Sequence, residues 1–110
     1  MAVIGLTIDG KKVVQAIVTG PSSYTTGGFT VTIGDVSKIH AVTGLNVRSN
    51  LKINNYVHVV DYDVPPGGTN TIILKVYRID VTAGAPSAWS EVPAGTDLSA
   101  LTLEIVAVGV

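Results

Sequence analysis

The chain contains no cysteine, only two histidines, and few charged or aromatic residues, at 14% and 5% of 110 positions. Without cysteine there can be no disulfide scaffold, no thiolate zinc site and no cysteine nucleophile. Two histidines leave little material for a Ser–His–Asp arrangement. The net charge is −1, and the basic residues Lys11, Lys12, Lys38, Arg48, Lys52, Lys75 and Arg78 are scattered. No run of them tracks a phosphate backbone, so nucleic acid is not expected as a partner. No apolar run approaches the roughly 18 to 20 residues of a membrane helix. Residues 1–10 lack both a basic start and a long apolar stretch, so the sequence predicts no secretory signal, no membrane partner and a soluble chain.

What is present is β-forming. Hydrophobic residues make up 46% of the chain, with Val, Ile and Thr prominent and turn residues at short intervals, which predicts an all-β domain over 1–110. Strands are expected at 3–8 and 13–18, joined across Asp9 and Gly10 as a hairpin. A polar, Gly-rich loop spans 20–28. Phe29, Val31 and Ile33 then alternate with Thr30 and Thr32. Further strands are expected at 39–48, with a bend at Gly44, and at 56–64, 70–81 and 101–110. Between them lie a turn or short polar crossing at 49–55, the Pro-Pro-Gly-Gly break at 65–68, and a long loop at 82–96 around Trp89. Asp97 to Ala100 reads as one capped helical turn. About seven to eight antiparallel strands suit a β-sandwich of jelly-roll or immunoglobulin-like type.

Chemistry-bearing groups are sparse, and each has a structural reading beside the functional one. On a strand, His58 and Asp61 point to opposite faces, so they form no local acid–base pair. Asp61 and Asp63 share a face and could contribute to a Ca²⁺ site, but such sites need more oxygen ligands; contacts to Lys75 or Arg78 are the better reading. His40 has apolar neighbours and no carboxylate closer in sequence than Asp35. None of Ser22, Ser23, Ser37, Ser49, Ser87, Ser90 and Ser99 sits in a Gly-x-Ser-x-Gly elbow. The Gly27-Gly28 and Gly67-Gly68 pairs do not precede helices and have no nucleotide-loop spacing. Catalytic residues, metal and cofactor are therefore expected to be none. Tyr24 and Trp89 could offer a contact surface for a sugar or a partner, although anchoring of their own loops is favoured.

The last strand carries apolar residues on both sides. Leu101, Leu103, Ile105, Ala107 and Gly109 form one face, suited to the core. Thr102, Glu104, Val106, Val108 and Val110 form the other. Three valines facing outward predict an oligomer interface at Val106, Val108 and Val110, or a covering loop from residues 83–93. Burial of each valine is worth roughly 1.5 kcal/mol or more.

In style the chain resembles small β-sandwich structural proteins of tailed bacteriophages and related viruses, such as capsid decoration (cement) and tail-associated proteins. The features that carry this are a start that runs directly into a strand, the Gly27-Gly28-Phe29 strand entry, the Thr/Val alternation, and the apolar ending at 105–110. The resemblance implies a virion protein made in the host cytoplasm. It also implies a homo-oligomer, often a trimer, that binds the major capsid protein or other virion proteins and catalyses nothing. Many decoration proteins carry a polar N-terminal arm, whereas this chain has an apolar, strand-like segment there, so any arm would dock by strand addition. The alternatives are a carbohydrate- or receptor-binding tail-fibre module and a filament subunit, with an enzyme built on His40 or His58 last.

Overall fold

Alternating side chains on a strand become a sandwich when each strand turns its apolar side toward one shared interior. The computed structural model describes residues 2–6, 10–48, 52–53, 56–64, 69–82, 84 and 88–110. Among them are nine strands: β1 (Ala2–Leu6), β2 (Lys12–Thr19), β3 (Phe29–Thr32), β4 (Ile39–Val47), β5 (Lys52–Ile53), β6 (Tyr56–Asp63), β7 (Thr71–Asp80), β8 (Ser90–Glu91) and β9 (Thr102–Gly109). The seven longer ones are the expected strands. The two-residue strands β5 and β8 fall in segments read as loops. All pairings are antiparallel, and the all-β sandwich is confirmed.

The first sheet, A, runs in the order β1-β2-β9-β4, and the second, B, in the order β3-β7-β6-β5 with β8 also on β7. The final strand β9 thus lies inside sheet A. It pairs with β2 from Thr19↔Thr102 to Lys12↔Gly109 and with β4 from Val47↔Leu103 to Ile39↔Gly109. Register shifts in β4 fall at His40 and Thr43, the second beside the expected bend at Gly44. Val14 and Ala16 of β2, Leu103, Ile105 and Ala107 of β9, and Ile72, Leu74 and Val76 of β7 supply much of the buried core.

Strand β7 is the backbone of sheet B. β6 covers one of its edges from Ile73 to Asp80. The other edge is shared: β3 takes Thr71 to Leu74 and β8 takes Tyr77 and Arg78. Entry into β3 requires glycine at position 28. Its φ is +109°, and a Cβ there would stand 2.5 Å from the Leu74 carbonyl oxygen, a distance that no side chain tolerates.

One local expectation is corrected. Residues 97–100 form a turn, not a capped helical turn, with the Asp97 carboxylate accepting from the Ser99 N–H (2.9 Å) and Leu101 N–H donating to Leu98 O (2.9 Å). Leu98 and Leu101 are both buried, which holds this turn against the core and leads the chain straight into β9. At the first hairpin, Gly10 has the expected positive φ of 83°; Asp9 and the Pro-Pro-Gly-Gly stretch at 65–68 lie outside the described residues.

Candidate functional site

The densest polar arrangement centres on Tyr24. The 20–28 loop runs beside residues 95–101, joined by Gly20 N–H to Leu101 O, Tyr24 N–H to Thr96 O, Gly95 N–H to Tyr24 O and Leu98 N–H to Pro21 O, all at 2.8–2.9 Å. These bonds carry the phenol of Tyr24 inward to 1% exposure. Its hydroxyl accepts from the Val76 N–H (3.1 Å) and donates to Glu91 Oε2 (2.8 Å). The same carboxylate oxygen accepts from the Gly27 N–H at 2.8 Å. Val76 lies between the part of β7 paired to β3 and the part paired to β8. The tyrosine hydroxyl therefore satisfies a buried strand N–H that neither neighbour reaches.

Electrostatics follow from this placement. Burial pushes the Tyr24 hydroxyl up from 10.0 to about 12, with the Glu91 carboxylate adding to the rise. The Gly27 N–H, and then the Tyr24 hydroxyl, hold the Glu91 carboxyl below its ordinary range. Tyr24 therefore offers no contact surface and anchors its own loop, the favoured of the two readings. Its ring has no free face, because hydrogen bonds from the 95–101 segment draw it into the core. Glu91 escaped the sequence reading. Its signal was available: it is the single charged residue between 81 and 96.

Trp89 is different. It is 50% exposed, just before β8, at the same end of sheet B as the exposed Val81. On the inner side of that end the Arg78 guanidinium stacks 3.9 Å from the ring centre of Tyr56. Further along, the Lys75 ammonium lies 5.9 Å over Tyr77. Asp61 stands opposite Lys75 in the β6–β7 register, on the exposed side, whereas His58 is buried opposite Arg78. The two point to opposite faces and form no acid–base pair. His40 is exposed in the β4 bulge. Among the described residues no three of His, Asp and Glu gather as metal ligands.

The outer face of sheet A is the third region. Val108 stands between Val13 and Ala41, and Val106 between Gln15 and Gly44. Both valines are half-buried by these neighbours, and Val110 is exposed. The Val110 carbonyl accepts from the Ser37 N–H (2.8 Å) and its N–H donates to Lys38 O (3.1 Å), fixing that end of the chain to the β3–β4 loop. The covering loop considered as an alternative does not lie here in its described part. Val92 N–H bonds Val76 O (2.9 Å), and Ser90 and Glu91 pair with β7 on sheet B. Farther along the face the polarity returns, with Arg48 and Glu104 3.5 Å apart. No known protein family, curated protein or solved structure matches the chain.

Proposed function

We propose that this chain is a structural protein of a virus particle, a decoration or cement protein that stabilises the capsid lattice as a homo-oligomer and performs no catalysis. The observation that supports this reading is the outer face of sheet A. A small sandwich needs one buried side per sheet, yet here Val13, Val106, Val108 and Ala41 continue across three strands on the side away from the core. Such a face gains from being covered, and the major capsid protein or another virion protein is the partner this reading assigns to it. Binding would stabilise the lattice by mass action, with no active site required. The test is addition of the purified protein to particles that lack it. New density at regular lattice positions and a higher particle melting temperature are expected, whereas unchanged particles would refute the reading.

A second reading is favoured by Trp89 alone. An indole exposed by half on a loop end suits stacking against a sugar ring, as in a receptor-binding tail module. Specific glycan-array signals that vanish in Trp89→Ala would place this reading first.

A further inference from the structure

Strand β8 is held to sheet B unequally along its length. Behind it, Val92 is buried and its N–H donates to Val76 O (2.9 Å). Ahead of it, Ala88 and Trp89 are exposed. Between these ends only two residues pair with β7, Glu91 opposite Tyr77 and Ser90 opposite Arg78. The side-chain ties converge on one atom: Glu91 Oε2 accepts from both the Tyr24 hydroxyl and the Gly27 N–H, each at 2.8 Å.

We propose that residues 88–91 form a strap that swings about Val92, with the Glu91 carboxylate as its latch. When the carboxylate takes up a proton, the strap lifts from β7 while the sandwich stays folded. Opening bares the β7 edge at Tyr77 and Arg78 and releases the Trp89 indole. The strap acts in the isolated chain, whatever the chain attaches to.

Two features make the release local. The Tyr24 hydroxyl accepts from the buried Val76 N–H (3.1 Å) without help from Glu91. When the strap leaves, that N–H keeps its acceptor, and the hydroxyl proton turns to the water that enters. No residue of 88–91 is buried, so lifting them takes no buried side chain out of the core.

Charge closes the latch. A carboxylate accepts strong, charge-assisted bonds from both donors, whereas the protonated group is a weaker acceptor. The Gly27 N–H, then the Tyr24 hydroxyl, and more weakly Lys75, hold the Glu91 carboxyl below its ordinary 4.5. The latch is therefore closed near neutral pH and opens as pH falls through that lowered value. The titratable groups around it are Tyr24 from the 20–28 loop and Lys75 and Tyr77 from β7. All three titrate in alkali, and Arg78 keeps its charge throughout. In acid, Glu91 alone changes charge at this junction.

Hydrogen exchange of the full chain and the fluorescence anisotropy of Trp89, its one tryptophan, test this. Val76 and Val92 form a hydrogen-bonded pair, so Arg78 and Ser90 form the next in the alternating antiparallel ladder. Between about pH 7 and pH 3, the wild type should lose protection at the Arg78 and Ser90 amides about tenfold or more. Trp89 anisotropy should fall with it, while the amides of Ala16 and Ile105 in sheet A stay protected. Glu91→Gln keeps the shape and removes the charge, so it should show the lowered protection at neutral pH and no further change in acid. The acid series on the wild type decides alone if that variant does not fold. Strap and sheet A losing protection together, strap amides indifferent to acid, or an acid transition that persists in Glu91→Gln would overturn the proposal.

Discussion

Replacing Tyr24 by Phe removes one oxygen atom that serves two neighbours, the Val76 N–H and the Glu91 carboxylate. The strand N–H would be left buried without its acceptor, so a loss of about 1–3 kcal/mol is expected in chemical denaturation. The wild-type hydroxyl also predicts an alkaline signature. Its pKa is raised from 10.0 to about 12 in the folded protein, so the folded state holds the proton more tightly than the unfolded chain. This contribution is complete below the unfolded value and is lost as pH rises through the folded one, by roughly 2–3 kcal/mol. Tyr24→Phe should lack that alkaline loss. Glu91 acts in the opposite direction: its pKa is lowered from 4.5 by Gly27 and Tyr24. Its contribution is present above that value and fades as pH falls through the lowered one. Gly28→Ala is a third residue-scale case. The positive φ and the approach to Leu74 O should together cost about 1–3 kcal/mol or more, read as a lower denaturation midpoint.

At the scale of elements, Val108→Asp separates the two sides of β9. Val108 lies on the outer face, half-buried, so the variant is expected to fold while losing the association that covers this face, read as a folded monomer in sedimentation; outright unfolding would instead indicate burial within one chain. Ile105→Ala on the inner side of the same strand is fully buried and should cost about 2–5 kcal/mol by leaving a cavity, seen as a lower melting temperature. The faces of β9 were legible in the sequence because alternation along one strand is a local property. So were the seven longer strands, for the same reason. The two-residue strands were not, since β5 and β8 are too short to show a period and exist only because β6 and β7 offer free edges. Anchoring by Tyr24 was the favoured reading, but its partners were not legible, because an aromatic residue among Pro, Ser, Thr and Gly carries no local sign of what buries it. Its burial is dictated by Thr96, Gly95 and Glu91, some seventy residues later.

Taken whole, the molecule is long for its mass, with extents of 52 × 24 × 22 Å and a radius of gyration of 15.2 Å against about 13 Å for a compact domain near this size. Core burial is correspondingly uneven. The inner residues Ile72, Leu74 and Val76 of β7 are closed off from solvent, whereas Arg78 and Asp80 farther along are only half-covered. Trp89 belongs to that less covered end. Trp89→Ala should leave stability within about 0.5 kcal/mol, as exposed substitutions do, and so makes a clean probe of glycan binding.

The position of β9 also governs when the protein can fold. Sheet A has β2 and β4 on either side of β9, a strand synthesised well after both, and neither long strand has another partner in the sheet apart from β1 on β2. On the ribosome, residues 2–48 emerge well before the segment that unites them, and the hairpin of β1 and β2 must wait with its other edge unsatisfied. Two-stranded hairpins are at best marginal in water. Cooperative closure is therefore expected only after residues 102–109 have emerged, and refolding in vitro should be dominated by distant pairing, with time constants in about the millisecond-to-second range. Stopped-flow fluorescence of Trp89 and nascent chains arrested before and after residues 102–109 would measure the two halves of that delay.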